Sequence, residues 1–588
     1  MADDKKGFRF GTFVRLIAQA APYRIVFILA GILAVLLAPV GILRPYLINH
    51  MVDNQIIQSD YEGLIFMTGV LFTVLFVEAF MRYGFIYSTN FLGQSIIRDL
   101  RKRVFNHLVR LKLSYFDRTP IGQSTTRTIN DIETINQTFS QGVITIVADV
   151  LSIFAVLGIM LYTSWQLTLV VLTTLPFLWI GTYYFKEGVK ISYQRVRNQI
   201  SKMNSFLQER ISGMRVVQIF NAEEQEAQKF KEINRDYTGA NLKSIFYYAL
   251  FFPFVEIVSA AALGLLVWYG AKSVLGDEIT LGVLVAFPIY INMLFRPMRM
   301  LADRFNTLQM GLVAAHRVFM VLDNVEIISD AGRIEKETIK GEIDFDHVYF
   351  SYDAENLILK DIDFTLHPGE TLAIVGSTGS GKTTIINLIN RFYDVQKGRI
   401  SIDGDPIQKY KLDNLRRHLA IVLQDVFLFS GTLFDNISLK DPSISKEAVI
   451  EASKLIGAHS FFDELPNKYD FWISERGNNL SMGQRQLISF VRALIFKPNI
   501  LILDEATSSI DTETEAIIQH AIETLIEKRT SIIIAHRLST IRHADKVLVL
   551  HKGEIKEFGS PEELLKREHG WYKDLYENQF LSTAKASA

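Results

Sequence analysis

Hydrophobic residues are concentrated in the first half of the chain, in long runs that carry almost no charge. Residues 25–43 and 150–185 contain no Lys, Arg, Asp or Glu, and residues 63–97 contain only Glu78 and Arg82. A membrane-spanning helix needs about 20 mainly apolar residues. Buried helices of a soluble domain are the alternative, but such a domain seldom holds several uncharged runs of this length. We therefore predict six spans, at about residues 25–47, 64–90, 140–162, 166–186, 246–270 and 279–300.

The connections between these runs alternate in basic charge. Those at 98–127 and 186–243 are rich in Lys and Arg, whereas those at 49–62 and 163–166 contain neither residue. Cytoplasmic connections of membrane proteins carry the excess of Lys and Arg. The pattern predicts a multi-pass membrane protein with both termini and the two long connections in the cytoplasm.

Three apolar segments lie outside the predicted spans. Residues Phe8–Tyr23 are amphipathic, which favours a position in the cytoplasmic interface of the membrane; an ordinary polar lead-in to the first span is the alternative. The two long connections are too polar to be embedded in the bilayer and are predicted to extend the flanking helices into the cytoplasm. Each contains an apolar-aromatic island, at Leu111–Phe116 and Met214–Phe220. We expect these islands to pack against a soluble domain.

The second half of the chain has a different pattern, in which short apolar runs alternate with helical stretches. The runs predicted to be strands are Ile343–Val348, Thr371–Val375, Ile400–Ile402, Ile500–Leu503, Thr530–Ala535 and Val547–Leu550. Strands that alternate with helices are typical of an α/β domain with a largely parallel core. The predicted organisation is a membrane domain over 1–325, a linker over 326–340, an α/β domain over 341–580 and a tail over 581–588.

Composition excludes several classes of function. The chain contains no cysteine, which removes disulfides, zinc-thiolate sites, iron–sulfur clusters and cysteine nucleophiles together. The 62 Lys and Arg residues nearly balance the 63 Asp and Glu residues, which leaves a net charge of −1. This balance argues against a nucleic-acid partner.

The strongest motif is a phosphate-binding loop. Residues 376–383 read Gly-Ser-Thr-Gly-Ser-Gly-Lys-Thr and match GxxxxGK[ST] between a predicted strand and a predicted helix. Glycines let backbone N–H groups surround phosphate oxygens, and the helix N-terminus adds a favourable dipole. Lys382 is expected to reach the β- and γ-phosphates, and the Thr383 hydroxyl to bind Mg²⁺. The residues predicted to bind nucleotide here are Gly376, Ser377, Thr378, Gly379, Ser380, Gly381, Lys382, Thr383 and Thr384.

Two carboxylates follow the apolar strand at residues 500–503. Asp504 is expected to hold Mg²⁺ in its outer shell, and Glu505 to polarise the attacking water. The alternative for two acidic residues at this place is the N-cap of a helix. The phosphate loop earlier in the chain favours the catalytic interpretation.

Further motifs follow in a fixed order, and with them the chain resembles the ATP-binding cassette (ABC) transporters. The residues that carry the resemblance are Tyr352 in Phe-Ser-Tyr, Gln424 in Val-Leu-Gln-Asp, Glu475-Arg-Gly477, the signature-like Leu480-Ser-Met-Gly-Gln484, Ser508-Ser-Ile-Asp511 and His536. In the membrane half, the matching positions are Phe116-Asp117, Gly122, Arg127, Asn130-Asp131 and Ser212–Phe220. The chain is most similar to exporter-type half-transporters of the Mdl-like, multidrug-resistance and MsbA-like kind.

The resemblance implies a membrane all-α domain of six helices fused to a cytoplasmic α/β P-loop ATPase domain, as in type IV exporters. It implies that Tyr352 stacks on adenine, that Gln424 senses Mg²⁺, and that His536 contacts the γ-phosphate beside Glu505. It also implies a head-to-tail dimer, because one chain supplies only half of each ATP site. The residues that would complete the partner's site are Ser481, Gly483, Gln484 and Asp511.

The implied function is ATP-driven export of hydrophobic or amphipathic small molecules, multidrug-like, across the bacterial cytoplasmic (inner) membrane by alternating access. A lipid or lipid-linked flippase is the alternative. An ATP-gated regulator that transports nothing is less consistent with the chain, because such a protein is expected to lack a catalytic carboxylate or histidine and both are present here.

One position departs from the family pattern. Met482 stands where the signature normally has glycine, which adds bulk beside Ser481 and Gly483. In heterodimeric exporters one of the two ATP sites is often degenerate, so an altered signature would fit a non-identical partner. A homodimer that tolerates methionine is the other possibility, and we take it as the working prediction.

Charged residues within the spans are candidates for the substrate site. Glu256 is the best single candidate for a carboxylate that attracts cationic or amphipathic compounds. Glu78 and Arg82 are four residues apart and are expected to pair with each other, whereas Asp149 and Arg296 are expected near span ends, where water reaches. The aromatic residues that could line a hydrophobic cavity are Trp179, Tyr183, Tyr247, Phe251 and Trp268.

Overall fold

A computed structural model of the protein describes residues 10–328, 330–353, 356–504, 512–535, 541 and 544–577. The chain divides into two compact units. The first unit comprises Met1–Leu108 and Gly122–Asp323, and the second comprises Val109–Ile121 and Asn324–Ala588. A short segment from the middle of the membrane half therefore belongs to the unit that holds the cassette motifs.

Helices make up the first unit. In chain order they are α1 (Phe10–Ala18), α2 (Arg24–Met51), α3 (Tyr61–Leu108), α4 (Leu113–Arg118, in the second unit), α5 (Ile121–Thr126), α6 (Ile132–Gln137), α7 (Ile144–Thr163), α8 (Trp165–Leu172), α9 (Leu175–Ser212), α10 (Met214–Ile219), α11 (Glu223–Leu275) and α12 (Leu281–Leu322). Wider helical turns at Arg127–Asp131 and Thr138–Val143 join α5, α6 and α7 into one rod. Helix α1 lies within the amphipathic segment that precedes the first span.

Six helical stretches in the described residues are long and apolar enough to cross a membrane. They are Ala21–Ile56, Tyr61–Leu108, Ile121–Thr163, Trp165–Ser212, Glu223–Leu275 and Leu281–Leu322. The six predicted spans are thereby confirmed in number and order. Helix α3 has 48 residues, so at 1.5 Å per residue it is about 72 Å long, more than twice the roughly 30 Å of a bilayer core. The polar connections are extensions of such helices, as predicted.

Two groups of buried side chains form the core of the first unit. One group joins α1, α2, α3 and α6 to the second half of α12, through residues such as Leu16, Leu92 and Ile135. The other joins α7, α8, α9 and α11 to the first half of α12, through residues such as Val156 and Phe287. Helix α12 belongs to both groups and therefore connects them.

The second unit is an α/β domain. Its strands are β1 (Ile343–Phe350), β2 (Leu359–Leu366), β3 (Thr371–Val375), β4 (Lys397–Ile402), β5 (Asp405–Pro406), β6 (Leu419–Val422), β7 (Gly431–Thr432), β8 (Trp472–Ile473), β9 (Ile500–Asp504), β10 (Thr530–Ile534), β11 (Lys546–His551) and β12 (Glu554–Gly559). Its further helices are α13 (Lys382–Ile389), α14 (Leu412–Arg417), α15 (Leu433–Ser438), α16 (Lys446–Leu455), α17 (His459–Asp463), α18 (Met482–Ile495), α19 (Thr512–Ile526), α20 (Pro561–Leu565) and α21 (Trp571–Tyr576).

The six-stranded sheet has the order β12-β11-β3-β10-β9-β6. Four of its five pairings are parallel, and the edge strand β12 pairs antiparallel with β11. Successive residues of β3 point to opposite faces: Leu372 and Ile374 join one apolar core, while Ala373 and Val375 join the other. Both faces are covered, which is why these strands read as continuous apolar runs. The predicted parallel core is confirmed.

A second sheet was not predicted. Strands β2, β1, β4 and β5 pair in that order and are antiparallel throughout. Two of them, β1 and β4, were recognised as strands, but their separate sheet was not. Its apolar side packs over β3 and α13, with Phe345 and Ile400 fully buried.

The two apolar islands differ in their surroundings. Leu111 and Tyr115 of the first island are buried within the second unit, and Lys112 N donates a hydrogen bond to Glu326 O at 2.8 Å. In the second island, Ile219 and Phe220 are 72% and 75% exposed within this chain. The expected packing against the soluble domain is therefore present for the first island, whereas the second lies in the first unit with its side chains uncovered.

Candidate functional site

The phosphate loop follows β3 in a backbone conformation that requires glycine. Gly379 and Gly381 have φ angles of +80° and +108°, in the left-handed region that side chains disfavour. A Cβ atom on Gly381 would lie 2.7 Å from Leu359 Cδ2. A Cβ atom on Gly376 would lie 2.2 Å from Leu550 O. The loop therefore keeps its backbone close to neighbouring strands and its N–H groups free of side-chain obstruction.

Lys382 begins α13 and is 8% exposed. Its Nζ donates to Gly376 O at 2.8 Å and to Ser377 O at 3.1 Å, so the ammonium lies across the loop. Burial lowers the pKa of this group, and the charge of Asp504 opposes that shift. A desolvated cation held by two carbonyls is suited to receive an anion.

Ser380 provides an independent sign that the loop suits a phosphate. Its Oγ is buried and has no hydrogen-bond partner among the described residues. A buried hydroxyl without a partner costs free energy, which a ligand oxygen would recover. Thr383 next to Lys382 is exposed, so its hydroxyl is open to a ligand or ion.

The sheet places Asp504 and Gln424 at the same edge as the phosphate loop. Strands β3, β9 and β6 are parallel members of the same sheet, so their carboxyl ends point the same way. Asp504 ends β9, and Gln424 lies two residues beyond β6 and is exposed. In open parallel sheets ligands bind at this edge. The residues predicted from separate motifs are therefore brought to one side of the domain.

Tyr352 lies beside the phosphate loop. Its hydroxyl donates to Thr384 Oγ1 at 3.3 Å and accepts from Asn387 Nδ2 at 3.1 Å. Its ring contacts Phe350 edge-on, with the centroids 4.9 Å apart, and it remains 37% exposed. Thr384, predicted to bind nucleotide, is itself buried and engaged by this hydroxyl. Tyr352 is therefore still partly accessible to a ligand.

Tyr352 is joined by several contacts to Val109–Ile121, the segment of the membrane half that belongs to the second unit and is called the docked segment below. The sequence analysis did not predict these contacts. Tyr393 packs edge-on against Tyr352 with centroids 4.9 Å apart, and its hydroxyl donates to Asp117. Arg118 Nη2 donates to Tyr352 O at 3.3 Å. Burial and the contact with Asp117 raise the pKa of Tyr393, so the phenol stays protonated as a donor. Asp117 is one of the positions that match the family pattern. Tyr393 lies 276 residues away, and no motif in the sequence indicated that it would contact Asp117.

The signature-like motif forms the start of α18. Ser481 Oγ accepts from Gln484 N at 3.3 Å, and Gln484 Oε1 accepts from Ser481 N at 2.7 Å. This reciprocal pair is a capping box, which satisfies two N–H groups of the helix end. Gly483 is buried in the first turn. Ser481 is exposed, so it can still contact a ligand or a second chain.

Met482 lines a cleft of about 160 Å³ that also includes Gln424. The residues that line it are Gln424, Asp425, Val426, Arg476, Asn478, Met482, Arg485 and Gln486. The residue that departs from the family pattern therefore shares a surface depression with the residue predicted to sense Mg²⁺, within one cassette.

Three predicted site residues cannot be placed. Glu505, Asp511 and His536 lie outside the described residues.

Charged residues of the membrane half differ in their partners. Arg82 Nη2 lies 2.7 Å from Glu78 Oε1, which confirms their predicted pairing. Asp149 is only 17% exposed and pairs with Arg304, a partner that sequence reasoning missed. Glu256 is exposed within this chain, and no hydrogen bond or ion pair of its side chain occurs among the described residues.

The fold and the site together define a membrane domain joined to a P-loop ATPase. Comparison with known families agrees: residues 27–298 match the family described as ABC transporter transmembrane region, and residues 359–508 match the family described as ABC transporter.

Relatives align over almost the whole chain. An uncharacterized ABC transporter ATP-binding protein, YknV of Bacillus subtilis, is 40% identical over 99% of this chain and 96% of its own length. The probable multidrug resistance ATP-binding/permease protein YheH of Bacillus subtilis is 38% identical over 89% of this chain and 78% of its own length. An ATP-dependent lipid A-core flippase of Syntrophus aciditrophicus is 35% identical over 97% of this chain and 95% of its own length.

The chain belongs to the ABC transporters, as a half-transporter of the exporter type. It is a multi-pass membrane protein whose cassette binds ATP and whose ATPase activity is coupled to transport.

Proposed function

We propose that this protein is an ATP-driven exporter of hydrophobic or amphipathic small molecules, working by alternating access in a bacterial cytoplasmic membrane. The observation that carries the proposal is the buried Lys382 ammonium in its glycine loop, beside Asp504 and the unpartnered Ser380 hydroxyl. The alternating basic connections support cytoplasmic termini and a cytoplasmic cassette.

In the proposed ATP site, Tyr352 stacks on adenine while the backbone of residues 376–381 surrounds the phosphates. Lys382 leaves its two carbonyl acceptors and pairs with the β- and γ-phosphates. Glu505 orients the attacking water and His536 steadies the γ-phosphate. Gln424 contacts the attacking water or the ion and reports the state of the site to the membrane half.

The residues also fit Mg²⁺. The Thr383 hydroxyl is exposed at the loop, and Asp504 and Gln424 offer oxygen atoms at the same sheet edge, which are the donors that Mg²⁺ prefers. Bound Mg²⁺ would neutralise charge on the phosphate oxygens. Thr383 and Gln424 would bind the ion directly, and Asp504 would hold one of its waters.

The proposed active form is a dimer. Ser481 and the Gly483 amide would contact the γ-phosphate bound to the partner chain, assisted by Gln484, Asp511 and the N-terminus of α18. The exposed island at Met214–Phe220 supports this proposal, since a second chain would cover Ile219 and Phe220. We favour a homodimer; the alternative is a non-identical partner matched to Met482.

Alternating access follows from differential affinity. Contacts from both chains to one nucleotide make ATP bind the closed dimer more tightly than the open one, so ATP shifts the population toward closure. Hydrolysis removes that preference. The docked segment Val109–Ile121, which contacts Tyr393 and Tyr352, would carry the change from the cassette to the spans.

The first test is ATPase activity of the purified chain in lipid nanodiscs, with its mass measured on the same sample. A homodimer predicts dimer mass and activity that Glu505→Gln abolishes. Stable protein with activity no higher than that of Glu505→Gln would reject the homodimer and favour a missing partner. Co-expression with other half-transporter chains would then be expected to restore activity.

The membrane half supports a preference for amphipathic cations. Of the acidic residues in the predicted spans, Glu78 and Asp149 are neutralised by arginines, whereas Glu256 has no partner among the described residues. Glu256→Gln is expected to lower transport of a cationic dye relative to an uncharged lipid analogue. Glu78→Gln removes the same charge from a paired residue and serves as the control. An unchanged ratio in Glu256→Gln would reject the preference.

Lipid flipping is the second candidate. It is favoured by two relatives named lipid A-core flippases, which match 97% and 96% of this chain. Transport of fluorescent phospholipids between leaflets, faster than transport of cationic dyes and abolished by Glu505→Gln, would favour this function over drug export.

A further inference from the structure

A polar cleft lies between the end of α1 and the middle of the basic stretch in α3. Its volume is about 590 Å³, and its lining residues are Ala18, Gln19, Ala21, Pro22, Asp99, Lys102, Arg103 and Asn106. Ala18, Ala21 and Pro22 contribute small side chains on the α1 side of the cleft, and Lys102 and Arg103 contribute cations on the α3 side. The cleft is separate from the proposed ATP and substrate sites.

The cleft has an excess of positive charge. Asp99 is its only carboxylate among the described residues, and both of its oxygens are occupied: Tyr23 Oη donates to Oδ2 at 2.7 Å and Arg98 Nε to Oδ1 at 3.2 Å. Arg103 Nη2 donates to the neutral Gln19 Oε1 at 2.5 Å. Lys102 has no ion pair in the described part of the chain. The lining therefore holds two cations, Lys102 and Arg103, against one carboxylate that already accepts two hydrogen bonds, which leaves an excess of positive charge.

The wall formed by α1 is fixed in place. Arg15 binds Asp323 through both guanidinium nitrogens, at 2.6 and 2.7 Å, and Leu16 is fully buried against the core of the first unit. On the other side of the helix, Phe10 and Val14 are 68% and 49% exposed. The helix is therefore anchored with an apolar face turned outward, which is typical of an interfacial helix.

The cleft lies at the boundary between apolar and charged sequence on both of its walls. Arg24 directly precedes the uncharged run 25–43, and Arg98 directly follows the run that ends at Ile97. Ile25 and Ile28, in the first turns of α2 shortly after the cleft residue Pro22, are 78% and 56% exposed. In a bilayer this boundary is the headgroup level, with acyl chains against the exposed isoleucines. Free phosphate would use the cations only, whereas a phospholipid would use both surfaces.

We propose that this cleft binds the phosphodiester headgroup of an anionic phospholipid from the cytoplasmic leaflet, with Lys102 and Arg103 as the contacts to the phosphate. The leaflet assignment rests on the proposed function, in which the N-terminus is cytoplasmic; the binding itself does not depend on ATP or on transport. Arginine and lysine near an anionic membrane surface each strengthen binding about fivefold. Removal of both charges is therefore expected to weaken it roughly 30-fold.

Native mass spectrometry of the detergent-solubilised full chain tests the proposal without nucleotide. The probes are phosphatidylglycerol, phosphatidylcholine and inorganic phosphate. The wild type is expected to bind phosphatidylglycerol more tightly than the other two. Lys102→Gln combined with Arg103→Gln should lose that preference. Arg101→Gln is the matched control. Arg101 is on another face of α3 and pairs with Glu133 of α6, so this variant should retain wild-type lipid binding.

A charge-preserving variant guards against misfolding. Lys102→Arg combined with Arg103→Lys keeps both charges and should bind phosphatidylglycerol as the wild type does. Continued preference for phosphatidylglycerol in the variant with both Gln substitutions would overturn the proposal. Equal, variant-sensitive binding of inorganic phosphate would overturn the lipid assignment. Nanodisc ATPase activity is measured on the same variants. A Gln pair that loses lipid binding but keeps its ATPase activity would support the lipid site without bearing on the proposed function. A protein that binds lipid but has no ATPase activity would contradict the proposed function and leave the lipid site supported.

Discussion

Replacing Ser481 by alanine or by aspartate separates two roles that one side chain combines. The hydroxyl accepts a hydrogen bond from Gln484 N and so caps α18. It is also proposed to contact the γ-phosphate bound to the partner chain. Alanine removes both roles. Aspartate retains the cap, since it is among the best N-cap residues, but places a negative charge where an anion is proposed to bind.

The structure sets the expected sizes of the two effects. Loss of an N-cap side chain costs about 0.5–2 kcal/mol. The capping bond of Ser481 is long, at 3.3 Å, and exposed, so we expect about 0.5 kcal/mol. For a domain of 150–250 residues, 1 kcal/mol shifts Tm by about 2–4 °C, so Ser481→Ala should lower Tm by about 1–2 °C. A lost hydrogen bond to a charged group is worth about 1.5–3 kcal/mol, or roughly 10- to 100-fold in ATPase activity.

Thermal melting and ATPase activity are measured on the same nanodisc samples. Ser481→Ala is expected to melt slightly lower with much reduced ATPase, and Ser481→Asp to melt at or above wild type with ATPase at background. Ser445 is the matched control, because it caps α16 by accepting from Ala448 N at 3.2 Å and is equally exposed. Ser445→Ala and Ser445→Asp should change Tm alone. Wild-type ATPase in Ser481→Asp would refute the proposed phosphate contact.

Three further predictions follow from contacts in the two units. Lys382→Met should leave the Tm without nucleotide unchanged or higher, because burial penalises the ammonium and lowers its pKa, while MgATP affinity, measured with a fluorescent analogue, falls at least tenfold. Tight ATP binding in that variant would contradict the role of the loop. Tyr393→Phe removes the donor to Asp117 and should retain basal ATPase but lose its stimulation by transported compounds; full stimulation would contradict the proposed coupling. Asp149→Asn and Arg304→Gln each leave a largely buried charge unpaired and should destabilise by about 3 kcal/mol, whereas the double variant should lose much less than the sum in melting experiments. Additive losses would mean that the pair is not coupled.

Much of the fold was predictable from local patterns. The six spans follow from uncharged runs long enough to cross a bilayer, and no other arrangement satisfies the backbone of such a run in lipid so simply. The strand β3 and the glycines after it predicted the phosphate loop, because only glycine tolerates the φ of +108° found at Gly381. These features depend on short stretches of sequence and not on distant partners.

The antiparallel sheet was not predictable in the same way. Ile343 in β1 pairs with Leu366 on one side and with Ile402 on the other. An alternating or apolar run indicates that a strand exists, but it does not indicate which strands lie beside it. The sheet assignment therefore depends on the packing of three separated segments.

By itself the sequence determined the class of protein: the spans, the order of motifs and the residues proposed to carry ATP chemistry are all encoded over short distances. The tertiary structure decided which distant side chains meet. It brought Tyr393 to Asp117 across 276 residues and Arg304 to Asp149 across 155 residues. The physical reason is that hydrogen bonds and ion pairs need atoms within about 3–4 Å, and only the packing of helices and sheets sets such distances between segments far apart in the chain.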